Sequence, residues 1–201
     1  MTGVKICGLT RPDDIAAVNQ VKPDYIGFVF FPGSKRYISP SAAEELKKQL
    51  SPDIKAVGVF VNEDAKQVKK LLKKGIIDIA QLHGQEDELY IRKLKAAGNK
   101  PVVKAVSVQS EDDILVWEQS EADYLLLDNG AGGTGEQFDW SLIPSISKPW
   151  FLAGGLHEGN IDEALGRGAH ALDISSGVET DGMKDPVKIR NLVSRIRAFE
   201  N

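Results

Sequence analysis

The chain reads as an α/β protein, a single-domain (β/α)8 barrel of the TIM type spanning residues 1–201, on three observations. Short runs rich in Val, Ile and Phe recur eight times, roughly every 20–30 residues, which leaves room for a crossover helix after each. The stretches between them carry helix start and stop signals. Reactive or anion-binding groups stand at the C-terminal ends of five of the eight runs, the face on which such barrels build their active sites.

The runs are "VKIC" (4–7), "YIGFVF" (25–30), "AVGVF" (56–60), "IIDIAQL" (76–82), "PVVKAV" (101–106), "ADYLLL" (122–127), "PWFLA" (149–153) and "HALDI" (170–174). Apolar on both faces, they suit strands buried between outer helices and the layers inside a barrel. "SPSAAEELKKQL" (39–50) has a serine cap, an early proline, and acidic residues ahead of basic ones. "NEDAKQVKKLLKK" (62–74) sets Asn62 before an acidic first turn and ends in lysines before Gly75. "FDWSLIPSI" is a short sixth helix candidate interrupted by Pro144, and "DEALGRGA" and "DPVKIRNLVSRIRAF" supply the last two. The expected total is seven intervening helices and one terminal helix. A doubly wound open sheet is the alternative, but the first turn, "ICGLTRPDD", lacks the glycine-rich dinucleotide fingerprint.

Composition narrows the function classes. A net charge of −4 argues against a nucleic-acid surface and requires any anion site to be built locally. A single cysteine excludes an internal disulfide, and no basic stretch precedes an apolar run at the start, so the expected setting is cytoplasmic. No apolar segment approaches the roughly 20 residues that cross a bilayer. No Cys/His/carboxylate set has metal-ligand spacing, so no metal is expected.

Cys7 ends the first strand, and Asp128 ends the sixth, facing it across the mouth. A thiol and a carboxyl so opposed could divide base and acid work on one substrate. Taken singly, Cys7 could be a small buried hydrophobe and Asp128 a loop anchor. Lys5 lies on the same strand face as Cys7, either in an ion pair with Asp173 or activating the thiol. Gly154 and Gly155 after strand seven, with Ser175, Ser176 and Gly177 after strand eight, form the pair of loops where barrels often bind phosphate. The loop after strand six has four glycines within 130–135, among them Gly132 and Gly133, and reads as a surface loop or as a lid over the ligand. Arg36 is either a solvated charge or a partner for a carboxylate or planar ring. His83 is either structural or part of a polar network at the mouth, while spacing suggests no partner for His157 or His170.

Together "VKICGLT", "GFVFFPGSKRYISP", "VGVFVNE", "QLHG", "LLLD…GGTGEQFDW", "LAGGL" and "DISSGVE" resemble the phosphoribosylanthranilate isomerase family, in the family's order from residue 3 to about 179. The resemblance implies a cofactor-free Amadori rearrangement of N-(5-phospho-D-ribosyl)anthranilate in tryptophan biosynthesis. It makes Asp128 the general acid that opens the furanose ring and Cys7 the general base at ribose C2. It sets Arg36 against the anthranilate moiety and the "AGGL" and "SSG" segments against the phosphate. The implied partner is a small phosphorylated substrate, with neither nucleic acid nor membrane, and association with neighbouring tryptophan-pathway enzymes stays open. The related histidine-pathway isomerase uses two aspartates at the mouth, and the thiol at the first strand end argues against it. A catalytically silent phosphate-binding barrel is the reading from another class.

Overall fold

Each of the eight apolar runs forms a parallel strand, and the strands close on themselves in sequence order. The computed structural model describes residues 2–96, 98, 100–130 and 137–199. The strands are β1 (Gly3–Cys7), β2 (Tyr25–Val29), β3 (Lys55–Phe60), β4 (Ile79–Leu82), β5 (Val102–Ser107), β6 (Tyr124–Asp128), β7 (Trp150–Leu152) and β8 (Ala171–Ile174). Closure comes from β1 pairing with β8, Lys5 lying in register with Asp173.

The connecting helices are α1 (Pro12–Val21), α2 (Pro40–Gln49), α3 (Ala65–Lys73), α4 (Glu88–Lys95), α5 (Glu111–Glu118), α6 (Ile161–Leu165) and the terminal α7 (Pro186–Phe199). The serine cap of α2 forms as expected, Ser39 accepting from the Ala42 N–H. For α3 the expected cap is displaced: Asp64 accepts from the Lys66 N–H, while Asn62 sits at φ +54°. Asn62 instead ties the third loop to the fourth, its N–H donating to Glu86 and its side-chain oxygen accepting from Gln85. The expected sixth helix is also corrected. Among the described residues only a 3-10 turn, Trp140–Leu142, lies between β6 and β7. Pro144, which fixes its own φ and has no N–H, follows that turn too closely for an α-helix to develop. In α7, Ile189, Leu192, Val193 and Ile196 bury one helical stripe, and the helix rests on α1 and α6.

One device recurs at the N-terminal rim. An aspartate next to the start of each of the strands β2, β4 and β6 accepts an N–H from the preceding strand and a cation from a helix. Asp24 takes Val4 N and Arg197, Asp78 takes Ala56 N and Lys47, and Asp123 takes Val102 N and Lys95. Each staple joins two neighbouring strands to the helix layer.

Strand alternation sends every second residue inward. Phe151 meets Tyr25 and Tyr124 edge-to-face at 5.2 and 5.6 Å, with His170 beside all three, so aromatic rings close the bottom. Burial, with Tyr124 and Asp24 adding to it, pushes the Tyr25 phenol up to about 12. Above this plug Val57, Ile79, Val103 and Leu126 fill the barrel. Truncating the plug with Phe151→Ala is expected to cost about 3–5 kcal/mol, read as a lower thermal and denaturant midpoint, because Phe151 is fully buried.

Candidate active site

The apolar filling stops below the C-terminal rim, and a cavity of about 150 Å³ opens there. Its walls include Cys7, Arg36, His83, Asp128, Gly154, Gly155, Ser175 and Ser176, which the chain order scatters over 170 positions. Gly177 lies just behind this wall, where a Cβ would run into the Leu156 carbonyl, so it lets the seventh and eighth loops touch. Gly132 and Gly133, and the lid reading of their loop, lie outside the described residues.

Beneath the mouth, behind Cys7, Gln81 and Asp173 of the cavity wall, is Lys5, a fully buried ammonium. Its Nζ lies 2.8 Å from Asp173 Oδ2, 2.6 Å from Gln81 Oε1 and 3.6 Å from Cys7 Sγ. Three protons thus meet three acceptors. Burial pulls its pKa down, but Asp173 and Cys7 outweigh that and raise it, so the ammonium persists. Lys5 thus forms the ion pair with Asp173 that one alternative has, and its Nζ also reaches the thiol. The other Asp173 oxygen is buried without a partner in a residue that lines the cavity.

Cys7 is 9% exposed and packs with Val29 and Val59. Its strand neighbour in register is Gly27, where a Cβ would lie 2.5 Å from Sγ, so only glycine leaves the thiol its place. Burial pushes the thiol pKa up; Lys5 and Lys184 pull it down, Asp173 adds to the rise, and the net direction is up. The resting group is therefore a thiol held beside a cation.

Across the mouth, Asp128 accepts the Asn129 N–H at 2.8 Å and stands 3.4 Å from His83 Nε2. Gln81 fixes how His83 faces it. The Gln81 amide oxygen is committed to Lys5, so its NH₂ points to His83 Nδ1 at 3.0 Å. Nδ1 must then accept, which leaves the ring proton on Nε2, toward Asp128. One polar chain thus runs from Asp173 on β8 through Lys5, Gln81 and His83 to Asp128 on β6.

The two ends of the cavity differ. At one end Gly154 and Gly155 take φ of +87° and +63°, conformations that favour glycine. Neither N–H has an acceptor among the described residues, and Asn160 Nδ2 braces the Gly155 carbonyl at 3.0 Å. Ser175 Oγ donates to the Cys7 carbonyl at 3.0 Å, locking the eighth loop to the end of β1. At the other end Phe31, Val59 and Val61 make an apolar wall next to Arg36. Arg36 is only 7% exposed, so it is no solvated surface charge. Its stem lies over Gly8, where a Cβ would collide with it, and its Nε and Nη2 grip Glu179 at 2.6 and 2.9 Å.

The sequence reading did not single out Gln81, Glu179 or Lys184. Gln81 was findable, standing two residues before His83 on one strand and so on the same inward face. Glu179 and Lys184 flank an Asp-Gly pair, the commonest two-residue hairpin signal, and form strands β9 (Glu179–Thr180) and β10 (Met183–Lys184).

A family model described as N-(5'-phosphoribosyl)anthranilate (PRA) isomerase matches residues 4–195. An N-(5'-phosphoribosyl)anthranilate isomerase of Endomicrobium trichonymphae is 44% identical over 204 residues, covering 99% of this chain and all of that one. A phosphoribosyl anthranilate isomerase structure from Thermus thermophilus superposes with a TM-score of 0.88 at 33% identity, over 98% of this chain and 99% of its own. A phosphoribosyl anthranilate isomerase in complex with reduced 1-(o-carboxyphenylamino)-1-deoxyribulose 5-phosphate gives a TM-score of 0.83 at 34% identity, over 98% of this chain and all of its own.

Gly27→Ala tests the seating of the thiol. The added methyl should turn Sγ away from Lys5, slowing Cys7 alkylation by iodoacetamide several-fold at fixed pH. The crowding should also lower stability by about 1–3 kcal/mol, read by thermal melting.

Proposed function

This chain belongs to the N-(5'-phosphoribosyl)anthranilate isomerase family, and we propose that Cys7 is its general base and Asp128 its general acid. The protein is an isomerase of tryptophan biosynthesis. It converts N-(5'-phosphoribosyl)anthranilate to 1-(o-carboxyphenylamino)-1-deoxyribulose 5-phosphate, a small phosphorylated substrate to a small phosphorylated product. The observation that carries the assignment of roles is the one cavity shared by thiol and carboxyl, with an anion-accepting end and an apolar, arginine-flanked end on either side.

In this reading the substrate spans the mouth. Its phosphate meets the free N–H groups of Gly154 and Gly155 with the Ser176 hydroxyl beside them, while Ser175, whose one proton goes to the Cys7 carbonyl, and Gly177 hold that loop in place. Its aryl ring lies along Phe31, Val59 and Val61 with its carboxylate toward Arg36. Asp128 gives its proton to the furanose ring oxygen as the C1–O bond breaks, and the nitrogen lone pair forms the C1=N bond of a protonated Schiff base. The Cys7 thiolate then takes the proton from C2, the electron pair moving to close the C1=C2 bond and neutralise the nitrogen. The enolamine that results takes a proton at C1 and releases the one on the C2 hydroxyl, leaving the ketone. Nε2–H of His83 steadies Asp128 once it is ionised. Gly132 and Gly133 enter the proposal as substrate-contacting glycines on sequence resemblance alone.

Residues 1–201 act in this reading as one barrel, and a cytoplasmic setting is proposed because its single unpaired cysteine suits a reducing compartment. Among the described residues no helix is long and apolar enough to cross a membrane. The net charge of −4 supports a small-molecule partner over nucleic acid. Association with neighbouring enzymes of the pathway belongs to the same proposal.

Loss of anthranilate fluorescence on mixing with freshly generated phosphoribosylanthranilate follows the reaction. Cys7→Ser and Asp128→Asn should each lower turnover by roughly 10²–10⁴-fold while keeping affinity for the reduced product analogue; turnover near that of the parent in either variant removes that residue from its role.

The pH profile adds a second check. Because the base works as thiolate and its pKa is raised, kcat/KM should climb with pH on the alkaline side of neutrality. Lys5→Met removes a charge that lowers the thiol pKa and should move the rising limb to higher pH. Asp173→Asn removes one that raises it and should move the limb lower; a limb that stays put in both variants belongs to another group.

A further inference from the structure

We infer that Glu179 is a positioning residue that presents Arg36 to the substrate's ring carboxylate and thereby sets the preference for an ortho-carboxylated aryl amine. This deepens the reading above and rests on Arg36 facing the aryl end.

The inference starts from how a guanidinium divides its edges. Glu179 takes the side edge, accepting from Arg36 Nε at 2.6 Å and from Nη2 at 2.9 Å. Two parallel bonds fix the plane of the group as one bond could not. Nη1 has no partner among the described residues, and Arg36 lines the cavity. The end edge is therefore the one offered to a second carboxylate, in a plane already set.

Charge tells the same story. Lys184 Nζ lies 2.6 Å from Glu179 Oε1, so one carboxylate faces two cations in a wall where all three side chains are under a tenth exposed. The surplus positive charge suits an anionic ligand. Burial works against ionised Glu179, yet the bonds from Arg36 and Lys184 hold its pKa below the ordinary carboxylate range.

The backbone makes the arrangement stiff. Glu179 and Lys184 are register partners in the β9–β10 hairpin, whose turn residues Asp181 and Gly182 sit at φ +52° and +76°. Arg11 donates to the Lys184 carbonyl at 2.8 Å and Lys188 to the Glu179 carbonyl at 2.7 Å, so both strands are tied down. Lys184 also reaches the Ser175 carbonyl at 2.9 Å, which joins the aryl end to the eighth loop.

The test compares two ligands by titration calorimetry: the reduced product analogue and the same molecule without its ring carboxylate. The parent should prefer the carboxylated ligand by about tenfold or more, the scale of a charge-assisted hydrogen bond. Glu179→Gln should abolish most of that preference, leave affinity for the carboxylate-free ligand within about twofold, and add nothing further in an Arg36→Met background. Glu179→Asp keeps the charge beside Lys184 but is too short to span both arginine nitrogens, and it should lose the preference too. Equal weakening of both ligands, or an intact preference, in the Glu179 variants overturns the inference. A preference lost in Arg36→Met but kept in both Glu179 variants overturns it while leaving the role of Arg36 standing. A preference that survives Arg36→Met overturns both.

Discussion

A lysine ammonium with no exposed surface, set in a barrel filled mainly by aliphatic and aromatic side chains, constrains everything around it. Removing such a charge from water costs several kcal/mol. Its attraction to Asp173 at 2.8 Å returns about 6 kcal/mol at an effective dielectric of about 20, so the pair roughly breaks even. Its value is geometric. Lys5 fixes which end of the Gln81 amide faces it, the amide fixes the His83 tautomer, and the histidine then faces Asp128 with a proton. The same ammonium touches the thiol, so Cys7 and Asp128 are oriented by one buried charge although they sit on opposite sides of the mouth.

Net charge says little about what the mouth attracts. The chain is acidic overall, yet Arg36 and Lys184 share one carboxylate at the aryl end, and uncommitted glycine N–H groups wait at the other. Both are short-range devices in walls where screening by solvent salt is weak. In the proposed pose the phosphate and the carboxylate of the substrate are held at these two ends, leaving the reacting carbons between Cys7 and Asp128. Stiff ends matter because a base that abstracts a carbon-bound proton gains from orientation more than from contact area.

Much of this was legible because barrel strands end where chemistry begins. Cys7, Asp128, Gly154 and Ser175 could be placed on one face from spacing alone, and the Lys5–Asp173 pair from alternation and closure. Pairings between distant loops were not legible. Glu179 meets Arg36 across 143 positions, and nothing local to either residue names the other. Asn62 shows the opposite failure: as a cap it competes with Asp64 on equal local terms, and only its long-range bonds to the next loop decide. The sixth connection failed as a helix for a local reason that Pro144 already announced.

The raised pKa of Cys7 works against its proposed role as base, since each unit above the ambient pH costs tenfold in thiolate. Burial causes the rise, and the same burial keeps water from competing for the base. A high pKa also makes the thiolate a stronger base once formed, so part of the loss in population returns as reactivity. The return is only partial, which is why cations are needed beside the sulfur. Lys5 from below and Lys184 from the eighth loop limit the rise without solvating the thiolate as water would. Each of those cations is itself held by a carboxylate, Asp173 and Glu179, and Asp173 is near enough to add to the rise. The spacing of two ion pairs around one sulfur therefore sets how much thiolate is present at a given pH, and that spacing belongs to the β1–β8 register, which places Lys5 and Asp173, and to the β9–β10 hairpin, which places Lys184 and Glu179, rather than to the cysteine itself.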